Sequence, residues 1–312
     1  MPLRIFIPIL LSFLFLSPPA HAFDGLVQPV GTNGTIVWGT GEVVVVRGVE
    51  GASSDESNAT LSPLALRTAV TQARKQLLDM VMSVRIDGRQ TVRAFLSGDS
   101  DAAAQVRGII QNSLYRGPGP YDGAGTVRVS ERLRGQLAEL ILPTTIQFQS
   151  GIPPKLSTAR GQDAEMIGDA PEAVGGGTRG YTGVVVDARG LGITPALAPV
   201  IFGQDGYGAY GYFGVSRNSV VQKGMVAYSV SDNPKVLAER VGDRPLMVRG
   251  LSAYGSWRTD VVIAADEARL VRAVTKAGPV ADGCRVVILV DRPDNTRESG
   301  DAAQAAKGDG DA

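Results

Sequence analysis

The 312-residue chain carries 31 Lys and Arg against 31 Asp and Glu, and it contains one His and one Cys. Balanced charge gives no electrostatic drive toward nucleic acid or anionic lipid. A single thiol excludes an internal disulfide and a thiolate zinc site.

The chain opens on a basic residue, Arg4, followed by the apolar run IFIPILLSFLFL and then SPPAHA, with small residues at Ala20 and Ala22. This is the pattern of a secretory signal peptide. The run is shorter than the roughly 20 residues a membrane-spanning helix needs. Cleavage is expected after Ala22, leaving Phe23 as the first mature residue. His21 leaves with the leader, which removes His bases, Ser/His/Asp triads and His-ligated metals from consideration. No cysteine stands at the cleavage point, so there is no lipid-anchor signal, and no later stretch is long enough to span a membrane. The expectation is an exported, periplasmic protein held by an ordinary hydrophobic core. About 290 residues remain, enough for two domains.

Residues 34–49, GTIVWGTGEVVVVRGV, are rich in Val and Ile and predict a strand, bent at its glycines. Ser62 and Pro63 then announce a helix. Ala65, Ala69, Ala73, Leu77 and Val81 recur every four residues and give that helix a core-facing stripe. Asp87-Gly88 predicts a turn, with a strand following through Thr91, Val92 and Arg93. A shorter helix is expected from Asp99 to Leu114, capped by Ser100. Residues 126–133, TVRVSERL, alternate Val127, Val129 and Leu133 with Arg128, Ser130 and Arg132, as a half-buried strand does. Trp38 reads as core.

The glycine-punctuated strand, the Ala-rich AVTQARKQLL helix, SVRIDGRQTV and the late alternating strand together resemble the FlgP-type envelope lipoprotein family, and are similar in layout to the FlgT N-terminal domain. The resemblance covers roughly residues 34–135. It implies a role in outer-membrane or flagellar basal-body assembly, with envelope or flagellar structural proteins, or further copies of the chain, as partners. It brings no catalytic residues. The chain departs from the lipoprotein pattern in lacking the acylated cysteine.

Residues 150–179 are rich in Gly, Pro and small residues and read as a linker. Beyond them, short apolar runs (YTGVVVD, APVIF, AYGYFGV, GMVAYSV, PLMVRGLSAYG, DVVIAA and CRVVILVD) alternate with two helix candidates, NPKVLAER and DEARLVRAVTKAG. In the second of these, Asp266 is the expected cap and Leu270, Val271 and Val274 are expected to face inward. The last residues, from 293 on, are polar and small and are expected to be disordered. The predicted class is α+β with two small mixed domains. An N-terminal sheet packs on one long Ala-rich helix over 23–149, and a strand-rich α/β module occupies 180–292.

Four features invite a functional reading. ARGLGITP, at 188–195, looks like a phosphate loop. It lacks the third glycine of GxGxxG, the GK[ST] of a Walker loop and a following helix, so a tight local loop is the expectation. Asp187 and Asp291 each end a Val-rich strand. On parallel neighbouring strands they would meet at one sheet edge. There Asp205 or Asp260 could join them around magnesium or calcium, as in a metal-assisted hydrolase, or the paired carboxylates could do acid/base work, as in glycoside hydrolysis. Aspartate is equally common where a strand simply stops. The hairpin QDGYGAYGYFG carries Tyr207, Tyr210 and Tyr212, and Trp257 stands in a later turn. Exposed, these would bind a glycan such as peptidoglycan or a partner protein. Cys284 opens an apolar strand and reads as a small buried hydrophobe. No cofactor motif is present. The expected function is therefore non-enzymatic: envelope or flagellar assembly through protein–protein contacts, with a peptidoglycan- or polysaccharide-binding module and a metal-assisted hydrolase as the two alternatives.

Overall fold

The computed structural model describes residues 23, 25–50, 62–117, 125–143, 180–276 and 278–293. The expected linker and almost all of the expected tail lie outside them. The fold is α+β, built on two sheets.

The first sheet is antiparallel. β1 (Val27–Val30), β2 (Gly34–Val37), β3 (Glu42–Gly48), β4 (Tyr115–Arg116) and β5 (Thr126–Arg132) take the order β1-β2-β3-β5-β4. The stretch expected as one bent strand is a hairpin, β2 paired antiparallel to β3. Helix α1 (Pro63–Ser83) lies across β3 and β5, burying Ala69, Ala73, Leu77 and Val81 as the four-residue spacing requires. Ser62 occupies the cap position, but its side chain makes no capping bond.

The strand expected after Asp87-Gly88 is instead a short helix, α2 (Val92–Leu96), because the Thr91 side chain accepts from the N–H of Ala94 and starts a helical turn. Helix α3 (Ser100–Gln111) is capped by Asp99, one residue earlier than expected, through bonds from Asp101 and Ala102. Helix α4 (Gln136–Ile141) was not anticipated; its apolar residues Leu137, Ala138 and Ile141 span too few turns to establish a period.

The second sheet contains β6 (Gly183–Asp187), β7 (Ile201–Gly203), β8 (Gly208–Tyr210), β9 (Ala227–Ser229), β10 (Pro245–Tyr254), β11 (Asp260–Ile263) and β12 (Val286–Leu289), in the order β8-β7-β11-β10-β6-β12-β9. Its β10-β6-β12-β9 portion is parallel throughout. Helices α5 (Arg217–Lys223), α6 (Pro234–Val241), α7 (Ala265–Thr275) and α8 (Gly278–Gly283) complete the module. Asp266 sits in the first turn of α7 without capping it, and Ala264 holds the cap position. Val271 and Val274 face inward as expected, whereas Leu270 is turned out and 40% exposed.

The two faces of this sheet are covered unequally. On one, Val184, Val186, Leu246, Val248, Val261 and Ile263 join a core that runs without interruption into the first sheet. On the other, α6 covers Val185, Val287 and Leu289 with Leu237 and Val241.

The halves are also joined backbone to backbone. Leu197 and Ala198 donate to the carbonyls of Arg85 and Ile86 at 2.9 and 2.8 Å, and Gly135 donates to Val221 at 2.8 Å. The Arg85 guanidinium lies 5.1 Å from the Trp257 ring centre. Trp38, buried as expected, packs edge-on against Tyr228 at 5.4 Å.

Candidate functional site

β6 and β12 are parallel neighbours, so their C-terminal ends share one edge of the sheet, the place where open α/β sheets usually take ligands. The edge holds Asp187, Asp291 and, after β9, Asp232. Each carboxylate is already engaged. Arg189 binds Asp187 in a fork, Nε to Oδ1 at 2.8 Å and Nη2 to Oδ2 at 2.7 Å. Its remaining nitrogen, Nη1, reaches Asp232 Oδ2 at 3.0 Å. The Arg189 hydrogen bond, opposed by burial, holds the Asp187 carboxyl below its ordinary value.

Asp291 accepts the Gly190 N–H on both oxygens, at 2.9 and 3.0 Å. Gly190 takes a left-handed φ of 78°, which lets its N–H point at this anion. The glycine loop does cradle an anion, but it is a carboxylate of the same chain. A second clamp holds the loop from the β10–β11 turn. Arg258 donates from Nη2 to the Leu191 carbonyl and from Nε to the Gly192 carbonyl, and its backbone carbonyl accepts the Thr194 N–H. Arg258 itself has φ 54°, a strained conformation for a residue with a Cβ.

Asp205 and Asp260 do not join this edge. Asp205 pairs with Arg272 of α7 at 3.1 Å. Asp260 sits opposite Tyr254, well beyond Arg249, the residue level with Asp187. Among the described residues no group of three or more His, Cys, Asp or Glu is placed to hold a metal ion.

The tyrosines are dispersed. Asp205-Gly206 forms the expected hairpin turn between β7 and β8, with Tyr207 47% exposed at its end. Tyr210 is core: it is 1% exposed, and its hydroxyl donates to the Met225 carbonyl at 2.7 Å. Tyr212 begins a 3-10 turn and its hydroxyl is enclosed, with burial pushing its pKa up. Trp257 is half-buried beneath Arg85. The four therefore share no single exposed surface: the end of β8 is buried at both Ala209 and Tyr210, and the chain turns before Tyr212. Cys284 is fully buried, and burial pushes its thiol up.

One surface was not expected from the sequence. On β10, Leu246, Val248 and Gly250 point into the core, while Met247, Arg249 and Leu251 point out. Met247 is level with Val185, which α6 covers, yet Met247 is 53% and Leu251 44% exposed. The regular alternation of β10 runs as far as Leu251, and the β10–β11 register shifts between Gly250 and Ser252. Tyr254 at the end of β10 and Phe202 of β7 meet edge-to-face across β11, with ring centres 5.6 Å apart. The alternation of PLMVRGL was the available signal, since Met and Leu stand at its outward positions.

A mostly parallel sheet with helices on both faces, joined to an antiparallel sheet through one core, defines a two-sheet α+β protein. The family model described as Treponema pallidum Tp0624, second domain, matches residues 183–292, which run from the start of β6 to just past Asp291. No curated protein matches the chain. Among the described residues no helix is long and apolar enough to cross a membrane.

Proposed function

We propose that this is an exported, non-enzymatic protein of cell-envelope or flagellar assembly, acting through protein–protein contacts. The leader-like N-terminus supports export to the periplasm, and the FlgP-type pattern of residues 34–135 supports the process. The observation that carries the contact reading is the half-covered face of the larger sheet. Helix α6 shields the β6, β12 and β9 portion, and the β10 portion presents Met247 and Leu251 on either side of Arg249. Exposed apolar side chains of this size on an interior strand mark an interaction surface.

The chemistry of the partner follows from Arg249. The carboxylate level with it, Asp187, is already taken by Arg189. The partner therefore brings apolar side chains flanking a carboxylate of its own. The charge-paired sheet edge and the interior position of Tyr210 give no comparable support to the hydrolase or polysaccharide readings.

The test is a photo-cross-linking residue at position 247 of the full chain, in the cells that make it, with position 235 on the exposed start of α6 as control. The expected result is one adduct at 247, absent at 235, strongly reduced by Arg249→Glu, and identified as an envelope or flagellar structural protein. An adduct insensitive to Arg249→Glu, or one with twice the chain's own mass, would overturn the proposed partner.

A further inference from the structure

We propose that Phe23, the residue expected to become the N-terminus when the leader is removed, is a pin that fastens the two halves together, and that leader cleavage must come before the pin is seated. The inference rests on the export reading above.

Phe23 belongs by sequence to the first half, yet its side chain is only 8% exposed. It lies among Val185, Ala227, Leu237, Val241, Val287 and Leu289, all from the second half. Leu26, which follows shortly after, is 2% exposed in the main core. Its N–H donates to the Tyr228 carbonyl at 2.7 Å, and its carbonyl accepts from Trp38 N–H at 2.8 Å. The segment thus covers the outer edge of β9, the last strand of the larger sheet, and hands the chain on to the first sheet.

The fit is close. A Cβ at Gly25 would collide with the Tyr228 carbonyl, and one at Gly39 would collide with the Phe23 carbonyl, so these two backbones can touch only because both positions are glycine.

A leader peptidase adds water across the Ala22–Phe23 amide, leaving a carboxylate on Ala22 and an ammonium on Phe23. To do so it must hold the chain extended in its cleft on both sides of the bond. A seated Phe23, with Gly25 wedged between Tyr228 and Gly39, cannot be drawn into such a cleft. Cleavage and seating are mutually exclusive, and the chain attached to its leader is cut while its halves are still unpinned.

The test uses the full precursor folded in detergent micelles, offered to a purified bacterial leader peptidase. The Phe23→Ala precursor should be cut at least about tenfold faster than the wild type, and opening the wild type with mild urea should abolish the difference. In the mature protein, the amides of Leu26 and Trp38 should exchange at least about tenfold faster in Phe23→Ala, with Phe23→Leu restoring most of the protection. Equal cleavage of folded wild-type and Phe23→Ala precursors would overturn the ordering. Equal amide exchange would overturn the pin. Sequencing the N-terminus of the exported protein separates this from the export reading: a start other than Phe23 sinks the leader assignment and the ordering, while the exchange result still decides the pin.

Discussion

The Asp260 carboxyl sits at the joint between the halves. Its Oδ1 accepts the N–H of Val200 at 3.0 Å and the hydroxyl of Thr259 at 3.2 Å, and Gly88 of the first half packs against Thr259. Burial is the main cause that pushes its pKa up, from 3.8 to about 6, with nearby Asp87 adding to the shift and the two hydrogen bonds opposing it. Between these values the folded protein holds a proton that the unfolded chain has lost. Stability contributed by this site is therefore present at low pH and is lost as pH rises toward and through 6, by up to about 3 kcal/mol. Asp260→Asn keeps an oxygen acceptor for Val200 and cannot ionise. The difference in unfolding free energy between variant and wild type should therefore grow in favour of the variant from pH 4 to pH 7. Urea denaturation across that range measures it, and a pH-independent difference would mean the carboxyl is hydrated.

Among the elements, the joint depends on how α5 ends. The helix stops at Lys223 and Gly224, and the Arg240 guanidinium from α6 takes both terminal carbonyls, Nη1 to Lys223 at 2.8 Å and Nη2 to Gly224 at 2.7 Å. Arg134 of the first half lies against Gly224 from the other side and donates to the Gly39 carbonyl at 2.6 Å; burial first, and then Arg240, push its pKa down to about 10. A planar fork fits two carbonyls, and an ammonium on a flexible stem does not hold both in the same geometry. Arg240→Lys preserves the charge and should still cost about 1–2 kcal/mol in equilibrium unfolding; an unchanged midpoint would show that the carbonyls are satisfied without the fork. This contact also shows where sequence reading stops. The α1 stripe and the β5 alternation were legible because each element's local period matches the one surface it packs against. Thr91-Val92-Arg93 looked like a strand because a five-residue helix is too short to show a helical period, and a threonine cap decided it. At the sheet edge, Asp187 and Asp291 were legible as strand ends. Asp232 and the Gly190–Asp291 bond were not, because they join segments far apart in the chain that only the strand order β6-β12-β9 brings together. Tyr210 and Tyr212 looked equivalent, but the face each takes depends on where β8 ends.

For the whole molecule, one core and several backbone bonds between the halves imply that neither half unfolds alone. Ile86 is fully buried, and its carbonyl holds Ala198 of the other half; Tyr228 is fully buried, and its carbonyl holds Leu26. Separating the halves would strip partners from these backbone groups and open apolar surface on both sides at once, so partial unfolding at the joint has no inexpensive intermediate. The two tryptophans provide one probe in each half, and each lies against a residue of the opposite half: Trp38 on Tyr228, and Trp257 beneath Arg85. Trp38→Phe and Trp257→Phe variants leave a single reporter in turn. Their urea transitions, corrected for each variant's own stability by far-ultraviolet dichroism on the same sample, should coincide in midpoint and slope. A fluorescence transition that precedes the dichroism transition for one reporter alone would show that half separating first, and would place the weak point of the joint on that reporter's side.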